Sequence, residues 1–128
     1  MDRDAFSAVL RTYSNRDIEW GRFDCVHFGL EASRAAGRKD LLPVLPAYNS
    51  PLSAMRAMRS AGFASIADAL DAHATPLHPS RAMTGDVVWC ADQEPMGAVG
   101  VVYGPHALFF GCKTIVRKRL LDKFVWRP

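Results

Sequence analysis

The stretch EWGRFDCVHFGLEA, Glu19 to Ala32, sets Cys25 directly after an aspartate and at the head of an apolar-periodic run. A thiol placed there could be a nucleophile. The first turn of a helix presents unpaired amides whose partial positive charge favours thiolate, drawing the pKa below a free cysteine's value of about 8.5. Asp24 suits the N-cap of that helix, and its own negative charge offsets part of the gain. A thiolate is not yet a catalyst, because acyl transfer needs a base that takes a proton and returns it.

The chain has four histidines to supply that base. His27 follows Cys25 by two positions on the same helix, about 200° around the axis at 3.6 residues per turn, so it faces away and reads as a helix-surface or interhelix contact. His73 and His78 flank a Thr-Pro loop and read as surface residues. His106 follows Pro105 in a hairpin turn and is the one candidate for a substitute base. The three cysteines, Cys25, Cys90 and Cys112, lack CxxC spacing. They point to reduced thiols, with Cys90 and Cys112 as small core or edge residues. No metal site and no cofactor is expected.

The elements that must position Cys25 are legible in the apolar spacing. Phe6, Val9, Leu10 and Tyr13 recur at helical intervals, with Asp4 as the expected cap. A loop covers residues 14–23, and a second helix runs from Cys25 to Ala36, capped by Asp24 and stopped by Gly37. LLPVLPAYNSP is a proline-punctuated connection. Ser50 with Pro51 opens a third helix that closes before Gly62, and Ser65 opens a fourth to about Ala72. After ATPLHPSRAMTG, read as a loop, the period changes to that of strands: DVVWCA, AVGVVY, ALFFG, TIVRKRL and KFVWR, separated by turn residues. Helices first and strands afterwards predict one α+β domain over residues 1–128, and gaps too short for crossover helices predict an antiparallel sheet.

The apolar share of 49% argues for a globular chain and against disorder. No apolar run approaches the roughly 18 residues of a membrane span, and the charged N-terminus reads as an amphipathic helix, predicting cytoplasmic synthesis without membrane insertion. Net charge is +3, with +5 concentrated in residues 111–128. That segment interleaves Ile115, Val116, Leu120, Leu121, Phe124, Val125 and Trp126 with basic residues. Surplus apolar area ringed by Arg and Lys predicts a protein interface anchored by Trp126 and Arg127, and no nucleic-acid partner.

WGRFDCVHFGL resembles the nucleophile segment of NlpC-like cysteine peptidases, cell-wall hydrolases of papain-like fold, in which a Trp-Gly pair precedes Asp-Cys at a helix start. GDVVW and VGVVYG resemble that family's Gly-Asp strand and the strand after it, in the same order. The chain is more similar still to compact NlpC-like proteins of tailed phages and prophages, which tend to end near an aromatic-Arg pair, as VWRP does. The resemblance implies N-terminal helices packed on an antiparallel, partly barrel-like sheet, with Cys25 facing it. It also locates what is missing. The family's histidine position falls on Ala98, and its third polar position on or near Phe110.

Cys25 is therefore either a remnant or a nucleophile with a substituted base. The first possibility implies a structural or assembly component of a phage tail, at the tail tip or baseplate of the virion, whose partners are other tail proteins. The second implies a cysteine endopeptidase cleaving peptidoglycan stem peptides with His106 as base. A third is a pseudoenzyme that binds a peptide or cell-wall fragment in the old cleft; Trp20 reads first as packing with Gly21 beneath the nucleophile helix, and as an alternative as a cleft wall. The first is favoured, because a fold carries no activity without its site.

Overall fold

Helix formation follows the caps. In the computed structural model, which describes residues 2–91 and 97–128, α1 spans Arg3–Tyr13, and its cap is Asp2, whose carboxylate accepts from the Ala5 amide. Asp4, the expected cap, lies inside the first turn instead, where its charge complements the helix dipole. Helix α2 spans Cys25–Ala35 behind Asp24, and Gly37 takes the positive φ of its exit. Helix α3, Pro51–Ser60, starts with a Ser50–Ser53 capping box. Helix α4, Ile66–His73, is capped by Ser65. The proline-rich connection forms a short 3-10 turn at Leu42–Val44.

The strands are β1 (Thr75–Leu77), β2 (Val87–Cys90), β3 (Ala98–Tyr103), β4 (His106–Gly111), β5 (Thr114–Arg119) and β6 (Phe124–Arg127). They form an antiparallel sheet in the order β1-β6-β2-β3-β4-β5. β1 is a strand where the sequence predicts a loop. Pro76 hides it, but on an edge strand the missing N–H of a proline costs no ladder bond.

Alternation along the strands gives the sheet two buried faces. Val87, Val99, Val101, Leu108, Phe110 and Trp126 pack toward the helices, against Val26, Leu30, Phe28 and Tyr13. Val88, Cys90, Ala98, Val102, Ala107, Phe109 and Val125 point the other way and are also buried, covered by Leu120, Leu77 and Ala82. Among the described hydrophobic residues packed against that second cluster, Cys25 is the one from an α-helix; Leu77 and Ala82 come from β1 and the connection after it. The sheet nevertheless stays open, with β1 and β5 as its edges, and the partial barrel expected from sequence is not closed.

Helix α2 lies closest to the sheet because its facing side is small. A Cβ on Gly29, one turn after Cys25, would fall 2.8 Å from the Val99 side chain and 2.9 Å from the Gly100 carbonyl. That approach sets the height of Cys25 above β3.

The expected anchors Trp126 and Arg127 are corrected by their burial and bonding. Trp126 is 3% exposed, sits in the core under α4, and donates from Nε1 to Asp71 Oδ1 at 2.8 Å. Arg127 forks onto Asp86, with Nε 3.0 Å from Oδ1 and a terminal nitrogen 2.8 Å from Oδ2. Asp86 is fully buried and also faces Arg38 Nε at 3.3 Å. A buried carboxylate needs such partners, which is why the C-terminal guanidinium turns inward. Of the apolar residues in this segment, Leu121, Phe124 and Val116 remain exposed.

Candidate functional site

The turn before α2 is built around one carboxylate. Asp24 is 1% exposed and accepts four hydrogen bonds: from the Gly21 amide at 2.9 Å, the His27 amide at 2.8 Å, the His27 ring Nδ1 at 2.8 Å and the Tyr48 hydroxyl at 2.7 Å. Because an ionised carboxylate only accepts, His27 must carry hydrogen on Nδ1. Gly21 is required here twice over. Its φ is +90°, and a Cβ would fall 1.9 Å from the Tyr48 carbonyl oxygen. The Trp-Gly pair is thus a structural joint, with Trp20 half-buried in the turn.

The network ties together the turn, α2 and the connection to α3. Burial pushes the Asp24 carboxyl up, but the bonds from the His27 ring and amide, the Gly21 amide and Tyr48 outweigh it and hold its pKa below the usual range. Burial pushes His27 down, and the hydrogen bond and charge of Asp24 outweigh that, holding its pKa above the usual value. Tyr48 is pushed well above its ordinary range by burial and by Asp24, so it stays a donor. Asp24 was expected as a cap; sequence spacing does not reveal the clamp, because Tyr48 lies 24 positions away and no local period links it to the turn.

Cys25 occupies the first position of α2, half-buried, where the two core clusters on either side of the sheet meet. Its sulfur faces the Val99 amide of β3 and the amides of Cys25 and Val26 at the helix end. Burial pushes the thiol pKa up, those amides pull it down, Asp24 pushes it further up, and the net shift is upward. The helix end therefore does not deliver a standing thiolate at neutral pH.

No histidine completes the site among the described residues. Ala98, the first residue of β3, stands one position from the amide that faces Cys25 and is paired with Cys90 across the strands. Phe110 is buried against Tyr13 and Phe28. His27 is committed to Asp24. His106 pairs with Tyr103 at the other end of β3, about 13 Å along the strand from Val99 at 3.3 Å per residue. The proposed substitute base is thus corrected by register: the β3–β4 hairpin carries His106 away from Cys25. Cys90 is buried in the sheet and Cys112 is exposed in the β4–β5 turn. Among the described residues no cluster of His, Cys, Asp and Glu could hold a metal ion, and no helix is long and apolar enough to cross a membrane.

No curated protein and no solved structure matches the chain. A nucleophile-like cysteine held at a helix start, behind a clamped aspartate and over an antiparallel sheet, is what this chain presents, and a family model described as a domain of unknown function, DUF6950, matches it over residues 2–126, so the chain belongs to that family.

Proposed function

We propose that the chain is a non-hydrolytic protein on an NlpC-like, papain-type scaffold, serving as a structural or assembly component of a phage or prophage-derived tail at its tip or baseplate. The observation that supports the non-hydrolytic half is the place of Cys25: the thiol lies at a helix start against Val99 of β3, next along the strand from Ala98, the position at which the resemblance would put the base. Without a proton shuttle, both the base and the acid function are lost, each worth about 10²–10⁴ in rate. The raised thiol pKa acts in the same direction.

The tail context rests on the resemblance of WGRFDCVHFGL, GDVVW, VGVVYG and the terminal VWRP to compact NlpC-like phage proteins. An α+β order with the cysteine helix laid on an antiparallel sheet is compatible with that scaffold. Partners are then other tail proteins, with peptidoglycan as a further surface, and the site of action is the virion.

Digestion of purified cell-wall sacculi tests the chemistry. The wild type should release no more stem peptide than Cys25→Ala; release that disappears in Cys25→Ala would establish the alternative, an active cysteine endopeptidase. Mass spectrometry of purified tail particles tests the context, and absence of the chain from intact particles would reject a structural role there.

A further inference from the structure

At the end of the sheet remote from Cys25, a groove of about 650 Å³ opens between α1 and the β3–β4–β5 hairpins. Two arginines line it: Arg3 at the start of α1, and Arg117 on the edge strand β5. His106 at the start of β4 also lines it, and among the described residues no acidic side chain does, Asp2 and Asp4 beside Arg3 included. Among the described residues, Arg3, Arg117 and His106 make no side-chain hydrogen bond or ion pair. The wall between them is aromatic, with Tyr103 half exposed and stacked on buried Phe6 at 5.6 Å between ring centres and 16° between planes.

We propose that this groove binds an acidic, extended segment of a partner protein, with carboxylates on Arg3 and Arg117 and an apolar side chain on the Tyr103 face. Unpaired guanidiniums in a concave, partly apolar setting select carboxylates, and a flat ring beside them takes an apolar side chain at low entropic cost. A compact phosphate fits less well. Such sites collect backbone amides, whereas the Gly104 amide at the hairpin turn is already taken by Thr84 Oγ1 at 2.9 Å. The proposal is independent of the tail assignment and of any chemistry at Cys25.

Fluorescence polarisation at about 0.15 M salt tests it, using a short fluorescein-labelled peptide that alternates Glu with Val and Phe, its Glu→Gln counterpart, and a short single-stranded oligonucleotide as competitor. Saturable binding of the Glu peptide is expected, weakened roughly ten-fold or more both by Glu→Gln and by Arg3→Gln with Arg117→Gln in the protein. Both arginines are exposed at the surface, so a thermal melt should show the double variant folded; if it is not, Tyr103→Ala supplies the same comparison. Absence of saturable binding, equal affinity for the Gln peptide, unchanged affinity in the folded variants, or displacement by the oligonucleotide at equal concentration would each overturn the proposal.

Discussion

Replacing Asp24 with Asn removes a charge while leaving the shape almost unchanged, so it isolates what the carboxylate does. The Asn oxygen can keep the cap by facing the His27 amide, as Oδ1 does now. Its NH₂ must then face the Gly21 amide and the Tyr48 hydroxyl, the two donors on Oδ2. Tyr48 can rotate to accept, but the Gly21 amide cannot, and a buried donor left unpaired costs about 1–3 kcal/mol. Loss of charge assistance on the surviving bonds adds to this, for a total of about 2–4 kcal/mol. Asp24→Ala also removes the cap, about 1 kcal/mol more. The pH dependence has a definite sign. The Asp24 pKa is lowered from 3.8 in the fold, so its contribution is present above that value and is lost as pH falls through the lowered one. The His27 pKa is raised from 6.5, so its contribution is present below that value and is lost as pH rises through the raised one. The variant should lose the Asp24 limb and weaken the His27 limb, and its His27 should titrate lower than in the wild type, because only the charge of Glu31 then remains to oppose burial. Urea unfolding across pH, with imidazole titration by NMR, measures both effects. A loss below about 0.5 kcal/mol, the usual scatter of neutral surface changes, or an unchanged His27 titration would refute the clamp.

Trp126→Ala should destabilise by about 3–5 kcal/mol through the core cavity, and Arg127→Ala by about 2–3 kcal/mol, below the full cost of breaking a buried pair because Arg127 is partly exposed and Arg38 remains. Denaturant titration of both variants decides whether these residues hold the fold, as the structure indicates, or serve only as surface anchors, in which case stability would not change. Gly21→Ala should cost several times as much as Gly37→Ala: both have positive φ, but only Gly21 has a carbonyl oxygen within 1.9 Å of the added Cβ while Gly37 has open space. Equal melting temperatures for these two variants would contradict the close approach of the turn to Tyr48.

Local rules made most of the elements legible. Asp24, Ser50 and Ser65 cap the helices they were expected to cap, since capping depends on a side chain and amides three residues away. Strands declared themselves as short apolar runs bounded by turn residues, except β1, where Pro76 masks a strand held by β6. Misreading Trp126 and Arg127 had a different origin. Interleaved basic and apolar residues look like an exposed amphipathic face, but their partners Asp71 and Asp86 lie 55 and 41 positions away. Only tertiary pairing turns the two side chains inward. The same limit hid Tyr48 from Asp24. His106 failed as a base for a further reason: distance along a paired hairpin follows register, and a residue close in sequence to the expected strand can stand at its far end.

The most recognisable part of this sequence is thus the least informative about catalysis. In WGRFDC, Gly21 is demanded by a positive φ and by the Tyr48 carbonyl, and Asp24 by four donors around a buried carboxylate. Both residues have full structural employment whether or not Cys25 reacts with anything. In the reading proposed above, what would distinguish an enzyme is set on a separate element, at the first residue of β3, the strand that α2 meets closely at Gly29 and whose Val99 amide faces the thiol. Ala98→His makes the separation testable. An imidazole there, if neutral base and thiol come into reach, should raise the rate of Cys25 alkylation by iodoacetamide near pH 7, since thiolate fraction governs that reaction. Cys112, exposed in the β4–β5 turn, would react in parallel, so the rate must be read as the difference from the same protein carrying Cys25→Ala. An alkylation rate at Cys25 that stays unchanged in a folded Ala98→His protein would mean that β3 does not present its first residue to the thiol, and the non-hydrolytic assignment would lose the observation on which it rests.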